Sequence, residues 1–260
     1  NALVRFAVLG DYGFAGPAEA QVAELIKGWK PEFVLTTGDN NYPDGSAETI
    51  DANIGQFFRE FICPYRGKYG AGSKVNRFFP ALGNHDWYTA GARPYLDYFT
   101  LPGNERYYDL LWGSVHVFVI DSDPNEPDGV ESGSRQAKWL EDGLRSSKAR
   151  WQLVTMHHPP FSSGPHMSNA YMQWPYKEWG ADLVLGGHDH DYERFERDGL
   201  TCVVIGLGGA SIYEFGTPAE GSSARFNANY GAALVEADSE KLVLRFYAAP
   251  GQLVDTFTLK

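Results

Sequence analysis

Five apolar runs in this chain stop in residues able to do metal chemistry. "FAVLG" gives way to Asp11, "FVLTTG" to Asp39 with Tyr42 three places on, and "FFPALG" to Asn84, His85 and Asp86. Further along, "WQLVTM" leads into His157 and His158, and "DLVLGG" into His188 and His190. Each fragment alone has an ordinary explanation. Asp after Gly is a frequent turn or helix cap, and a buried histidine often only satisfies a donor. The set is harder to explain that way, because five of the seven histidines lie at these run ends. Carboxylate, carboxamide and imidazole donors without sulfur suit iron, zinc or manganese better than calcium. More donors are on offer than one such ion can hold. Two ions sharing Asp39 would use them, and paired metals suit phosphate chemistry.

These residues meet only if their strands run side by side, since an open parallel α/β sheet binds ligands beyond the carboxyl ends of its strands. The segments between them read accordingly. "PAEAQVAELIKGWK" opens with Pro and spaces Val22, Leu25 and Ile26 as a helix does. "SAETIDANIGQFFREFI" reads as a helix capped near Ser46, "RPYLDYFTL" as another, and "SRQAKWLEDGLRSS" as an amphipathic one. "YYDLLWG" and "VHVFVIDS" form an expected antiparallel pair turning at Gly113 and Ser114, with His116 an ordinary strand residue. The last part is mostly strand: "TCVVIGLGG", a hairpin of "GAALVEADSE" with "KLVLRFYA", then "QLVDTFTLK". No repeat or linker divides the chain, so residues 1–260 read as one α/β domain with mixed sheets and helices outside.

A net charge of −11 with no basic run disfavours nucleic acid as a partner. No apolar run is long enough to span a bilayer, so no membrane partner is expected. The chain opens at Asn1 and enters a strand almost at once, which is expected of an exported protein, periplasmic or secreted, with its signal removed. Cys63 and Cys202 could form one disulfide or remain free thiols.

Taken in order, "GDYG", "GDNNY", "GNHD", "VTMH" and "GGHDH" resemble the five blocks of the calcineurin-like metallophosphoesterase superfamily. The tyrosine of "GDNNY", with "DYER" after the last block, resembles the purple acid phosphatase family within it, in its small single-domain form. The resemblance implies a metallophosphoesterase-like catalytic domain, a layered sandwich of two mixed β-sheets flanked by helices. It places Asp11, Asp39, Tyr42 and His190 around Fe(III), with Asp39 bridging to a second divalent metal (Fe, Zn or Mn) held also by Asn84, His157 and His188. It also explains Tyr42. A phenol with a pKa of about 10 is a poor ligand at neutral pH, but a ferric ion deprotonates it, and charge transfer from the phenolate would colour the protein purple.

The implied activity is that of an acid phosphatase, in which a metal-bound hydroxide hydrolyses monoesters of small phosphorylated substrates and the protein supplies no nucleophile. His85 could protonate the leaving group, Asp86 could orient or charge His85, and His166 occupies a substrate-contacting loop position. Arg225, in the 213–230 loop, could reach phosphate. A phosphodiesterase on the same scaffold is the nearest alternative; a non-catalytic iron- or phosphate-binding protein is another. Oligomeric state, natural substrate and the divalent metal stay open.

Overall fold

The computed structural model describes residues 2–260. Strands β1 (Val4–Leu9), β2 (Phe33–Thr36) and β3 (Phe78–Pro80) lie parallel and adjacent. On the far side of β1 the sheet continues antiparallel through β11 (Gly231–Ala237), β12 (Leu242–Ala248) and β13 (Gln252–Leu259), in the order β13-β12-β11-β1-β2-β3. A second sheet contains β4 (Tyr108–Trp112), β5 (Val115–Val119), β6 (Trp151–Thr155), β7 (Leu183–Gly186), β8 (Tyr192–Arg197), β9 (Leu200–Ile205) and β10 (Ser222–Phe226). Its order is β10-β8-β9-β7-β6-β5-β4, with β5, β6, β7 and β9 parallel. The five strands that lead into the expected metal-ligating residues are β1, β2 and β3 of one sheet and β6 and β7 of the other.

Side-chain alternation packs the two sheets face to face. Phe6 and Phe33 stack with ring centroids 4.6 Å apart, and they share one core with Val117, Leu153, Leu185 and Ile205 of the opposite sheet. The alternate residues Phe118, Val154 and Val184 face outward and pack with Leu140 and Leu144 of the helix Arg135–Ser146. Ser134 caps that helix, its hydroxyl accepting from the Ala137 N–H. Helix Pro17–Gly28 buries Val22 and Ile26 of the expected stripe, with Ala23 beside them, while Leu25 is only half-buried. The result is two mixed β-sheets with flanking helices, as expected.

Some local expectations fail. The segment expected to run as one helix from Ser46 is broken into a π-type turn (Asp51–Gly55), a short α-turn (Gln56–Phe58) and a 3-10 turn (Arg59–Phe61). Asp51 accepts hydrogen bonds from the Tyr65 and Tyr98 hydroxyls and the Lys68 N–H, so tertiary contacts dictate the path there. Strands β8 and β10 were not anticipated. Cys63 and Cys202 are both free thiols.

Candidate metal centre

Three of the strand-end residues turn the chain sharply. Asp11, Asp39 and His188 have φ of 57°, 51° and 69°, a left-handed conformation that Asp, Asn and His tolerate better than most residues. Such strain is held where the surrounding structure over-determines it. Small neighbours let the turns approach one another. A Cβ on Gly83 would stand 2.3 Å from the Asp39 nitrogen, and one on Gly187 would stand 2.6 Å from an Asp11 carboxylate oxygen.

The side chains so aimed converge. The Tyr42 hydroxyl lies 3.0 Å from Asp39 Oδ2, 3.1 Å from His190 Nε2 and 3.4 Å from Asp11 Oδ1. On the other side of Asp39, His157 Nε2 is 3.4 Å from Asp39 Oδ2, 2.9 Å from Asn84 Oδ1 and 3.1 Å from His188 Nδ1. The structure thus brings Asp11, Asp39, Tyr42, Asn84, His157, His188 and His190 into two groups that meet at Asp39.

Backbone carbonyls orient the rings. His157 Nδ1 is 2.9 Å from the Thr37 carbonyl, and His190 Nδ1 is 2.7 Å from that of Ser211. A carbonyl only accepts, so both Nδ1 atoms carry hydrogen and both Nε2 atoms face the centre. Ligand-side atoms of Asp11, Asp39 and His157 lie within 4.8 Å of one another, as do those of His157, His158 and His188. His158 is the poorer candidate, because its Nδ1 is engaged with the Ser122 hydroxyl at 3.0 Å.

Without cations the cluster is electrostatically frustrated. Burial pushes the Asp11 carboxyl up. Burial would raise Asp39 too, but His157 outweighs it and holds Asp39 below the usual range. Burial opposes charge on His157, yet Asp39 and Asp11 push it up to about 10. His190 is raised against its burial by Asp11, whereas burial and then the neighbouring His157 lower His188. Burial, then the charges of Asp39 and Asp11, push Tyr42 well up. Buried carboxylates, inward imidazole nitrogens and a crowded phenol together fit hard or borderline metal ions.

The residues expected to act on substrate are placed differently. His85 sits at the rim with Nδ1 against the Pro43 carbonyl at 2.5 Å and Nε2 3.9 Å from Asp39 Oδ2. Asp86 is a correction: its carboxylate does not orient His85. Its Oδ2 accepts from the Gly83 N–H and from the backbone and side chain of Asn40, tying two strand-end loops together. Burial lifts its pKa to about 7. His166 packs its ring on His188 with centroids 4.2 Å apart, and its Nδ1 meets Asp189 Oδ1 at 2.9 Å. Arg225 lies over Phe215 on the edge strand β10, its guanidinium 3.4 Å from the Gly216 carbonyl.

Reading the sequence missed Asp189, visible only as the D of "GGHDH". It also missed the aromatic side chains Phe14, Tyr213 and Tyr230, which share a cleft of about 470 Å³ with Tyr42, His85 and His190.

A sandwich of two mixed sheets with Asp, Asn and His side chains gathered at its strand ends has the layout of a metallophosphoesterase scaffold. Residues 4–192 match the calcineurin-like phosphoesterase family, and the chain belongs to that family. Within it, the chain is 31% identical over 218 residues to purple acid phosphatase 17 of Arabidopsis thaliana, covering 72% of this chain and 62% of that protein. It is 26% identical over 213 residues to a purple acid phosphatase of Glycine max, covering 74% and 44%. The chain therefore spans less than two thirds of the length of either relative. In fold it resembles the purple acid phosphatase PPD1 of yellow lupin seeds, with a TM-score of 0.79 at 19% identity over 99% of this chain and 54% of that one. It also resembles GAP50, the anchor in the inner membrane complex of Plasmodium, with a TM-score of 0.76 at 20% identity over 100% and 89%. Among the described residues no helix is long and apolar enough to cross a membrane.

Proposed function

We propose that this chain is a dinuclear phosphomonoesterase of the purple type, working with Fe(III) and a second divalent cation (Fe, Zn or Mn). The observation that carries this reading is the meeting of seven donor residues from five strand ends in two groups at Asp39. Asp11, Tyr42 and His190 would hold one ion and Asn84, His157 and His188 the other, with Asp39 shared. When bound, such ions offset phosphate charge and make water acidic enough to lose a proton near neutrality.

The chain's own groups do the rest. His85 donates its Nδ1 hydrogen to the Pro43 carbonyl, so in the protonated ring Nε2 carries the proton available to a leaving oxygen. Asp189 holds His166 by Nδ1 and by its backbone N–H, leaving Nε2 free to meet a substrate phosphate. The Thr37 and Ser211 carbonyls fix ring orientation before substrate arrives, so less order has to be imposed during reaction.

The test is a comparison of kcat/KM for p-nitrophenyl phosphate and bis(p-nitrophenyl) phosphate with the metal-loaded protein. Clear preference for the monoester is expected. Preference for the diester would move the reading to a phosphodiesterase on the same scaffold. Tight metal binding with no turnover of either would make the chain a binding protein.

A further inference from the structure

The helix expected from Ser46 opens into its wide turn in the segment that packs behind Tyr42. The Gln56 N–H reaches back to the Asp51 carbonyl, one residue further than in an α-helix. Such π-type turns are rare and recur at functional sites. Contacts outside the turn hold this one. Asp51 accepts from the Tyr65 and Tyr98 hydroxyls and the Lys68 N–H. Two residues on, the buried Asn53 reaches the "GDNNY" loop. Its Nδ2 donates to the Tyr42 carbonyl and to Asn41 Oδ1, both at 2.8 Å.

Tyr42 is thereby held on both sides of its Cα. Its N–H donates to the Gly13 carbonyl at 2.8 Å, and its carbonyl accepts from Asn53. Asn41 beside it is equally committed. Its Oδ1 also accepts from the Thr49 hydroxyl at 2.7 Å, and its Nδ2 donates to the Ser46 carbonyl at 2.8 Å. His157 and His190 are aimed differently, each through its second ring nitrogen on a carbonyl. A phenol has no second polar atom. The Tyr42 hydroxyl meets only Asp11, Asp39 and His190, all within the cluster itself, so its direction has to be set from its backbone.

We propose that Asn53 is a positioning residue for Tyr42: the π-type turn delivers one carboxamide that fixes the direction from which the phenol oxygen meets the metal centre. The proposal rests on the purple reading, in which Tyr42 is a ligand, and adds the residue that aims it. Asn53 itself contributes no donor to the centre.

The experiment compares oxidised, iron-loaded wild type with Asn53→Ala, Thr49→Val and the control Ile54→Val. Ile54 is fully buried in the same turn, so its truncation lowers stability without removing a hydrogen bond to the "GDNNY" loop. Two quantities are read: the wavelength of the visible band and the rate at which a chelator strips ferric ion. In Asn53→Ala the band should move, and release should quicken about tenfold, the effect of a lost buried hydrogen bond. Thr49→Val should change both in the same direction by less, and Ile54→Val should leave the band in place with release within about twofold of wild type. An unmoved band and release within about twofold in both Asn53→Ala and Thr49→Val would overturn the positioning role and leave the purple reading standing. Equal changes in Ile54→Val would also overturn it, by tracing them to lost stability. Should Asn53→Ala fail to fold, Thr49→Val against Ile54→Val decides by the same two criteria. A wild type that binds ferric ion without any visible band would remove Tyr42 from the ligand set and overturn both readings.

Discussion

Tyr42 is a worse acid than free tyrosine in this site without cations, because it is buried beside two carboxylates and donates to Asp39. A trivalent ion at the same place reverses that balance, since the charge that opposed the phenolate is neutralised by one that favours it. Oxidised, iron-loaded wild type should therefore show a broad visible band that Tyr42→Phe loses while keeping its iron. A variant that retains the band would remove Tyr42 from the ligand set. At the same scale, Asp189 is a positioning residue whose carboxylate accepts from His166 and, through Oδ2, from the Ser162 hydroxyl at 2.5 Å. Asp189→Asn should raise KM for a phosphate monoester about tenfold and change kcat less. In a double-mutant cycle, His166→Ala should add little further loss in the Asp189→Asn background. Fully additive losses would mean that Asp189 supports the loop without acting through His166.

At the scale of elements, the five strand ends were legible because each is a buried apolar run stopped by Gly followed by Asp, Asn or His, or directly by His. Burial on both faces makes such runs continuous rather than alternating, and that pattern survives without tertiary information. What could not be read depends on long-range contacts. Strand β8, "YERFER", alternates charged residues whose partners lie elsewhere, as where Arg194 pairs with Asp255. Strand β10 is a half-exposed edge with little apolar signal. Asp86 stands next to His85 in sequence, yet the helical turn Asn84–Trp87 sends its carboxylate back to the Gly83 and Asn40 amides. Adjacency along the chain was a poor guide there, whereas the spacing of Asp189 between two histidines gave no hint of its loop partner.

The tight approach of strand ends makes its own prediction. A methyl on Gly83 would meet Asp39 backbone and carboxylate together, leaving no flexible end to give way. Gly83→Ala should cost about 1–3 kcal/mol and reduce the metal content, with Tm down by roughly 3–10 °C. Gly28→Ala is the control, since a Cβ there meets nothing within 4 Å. Equal melting temperatures and equal metal content in the two variants would show that the loops yield more than this geometry allows.

At the scale of the whole molecule, one sheet supplies Asp11, Asp39, Tyr42 and Asn84, and the other supplies His157, His188 and His190. Ions held by these residues would tie the two sheets together at one edge of the sandwich, and chelation should then lower Tm as any loss of a native-state ligand does. The size of that effect depends on pH with a definite sign. Without metal, His157 is pushed up to about 10 by Asp39 and Asp11 despite its burial. Its contribution to the metal-free protein is fully present below the unfolded value of about 6.5 and fades as pH rises through about 10. Metal binding at Nε2 must displace that proton, while His188, held neutral, gives up none. Between pH 6 and 8 the affinity for zinc should consequently rise about tenfold per pH unit for each proton released, close to 1.4 kcal/mol per unit. Competition against a chelator of known affinity at three pH values measures this slope. Calorimetry in two buffers of different ionisation enthalpy counts the protons independently. A slope of at least one with matching proton release is the expected result. An affinity that does not change with pH would mean that His157 is already neutral before metal arrives, and that the Asp39–His157 pair does not hold a proton.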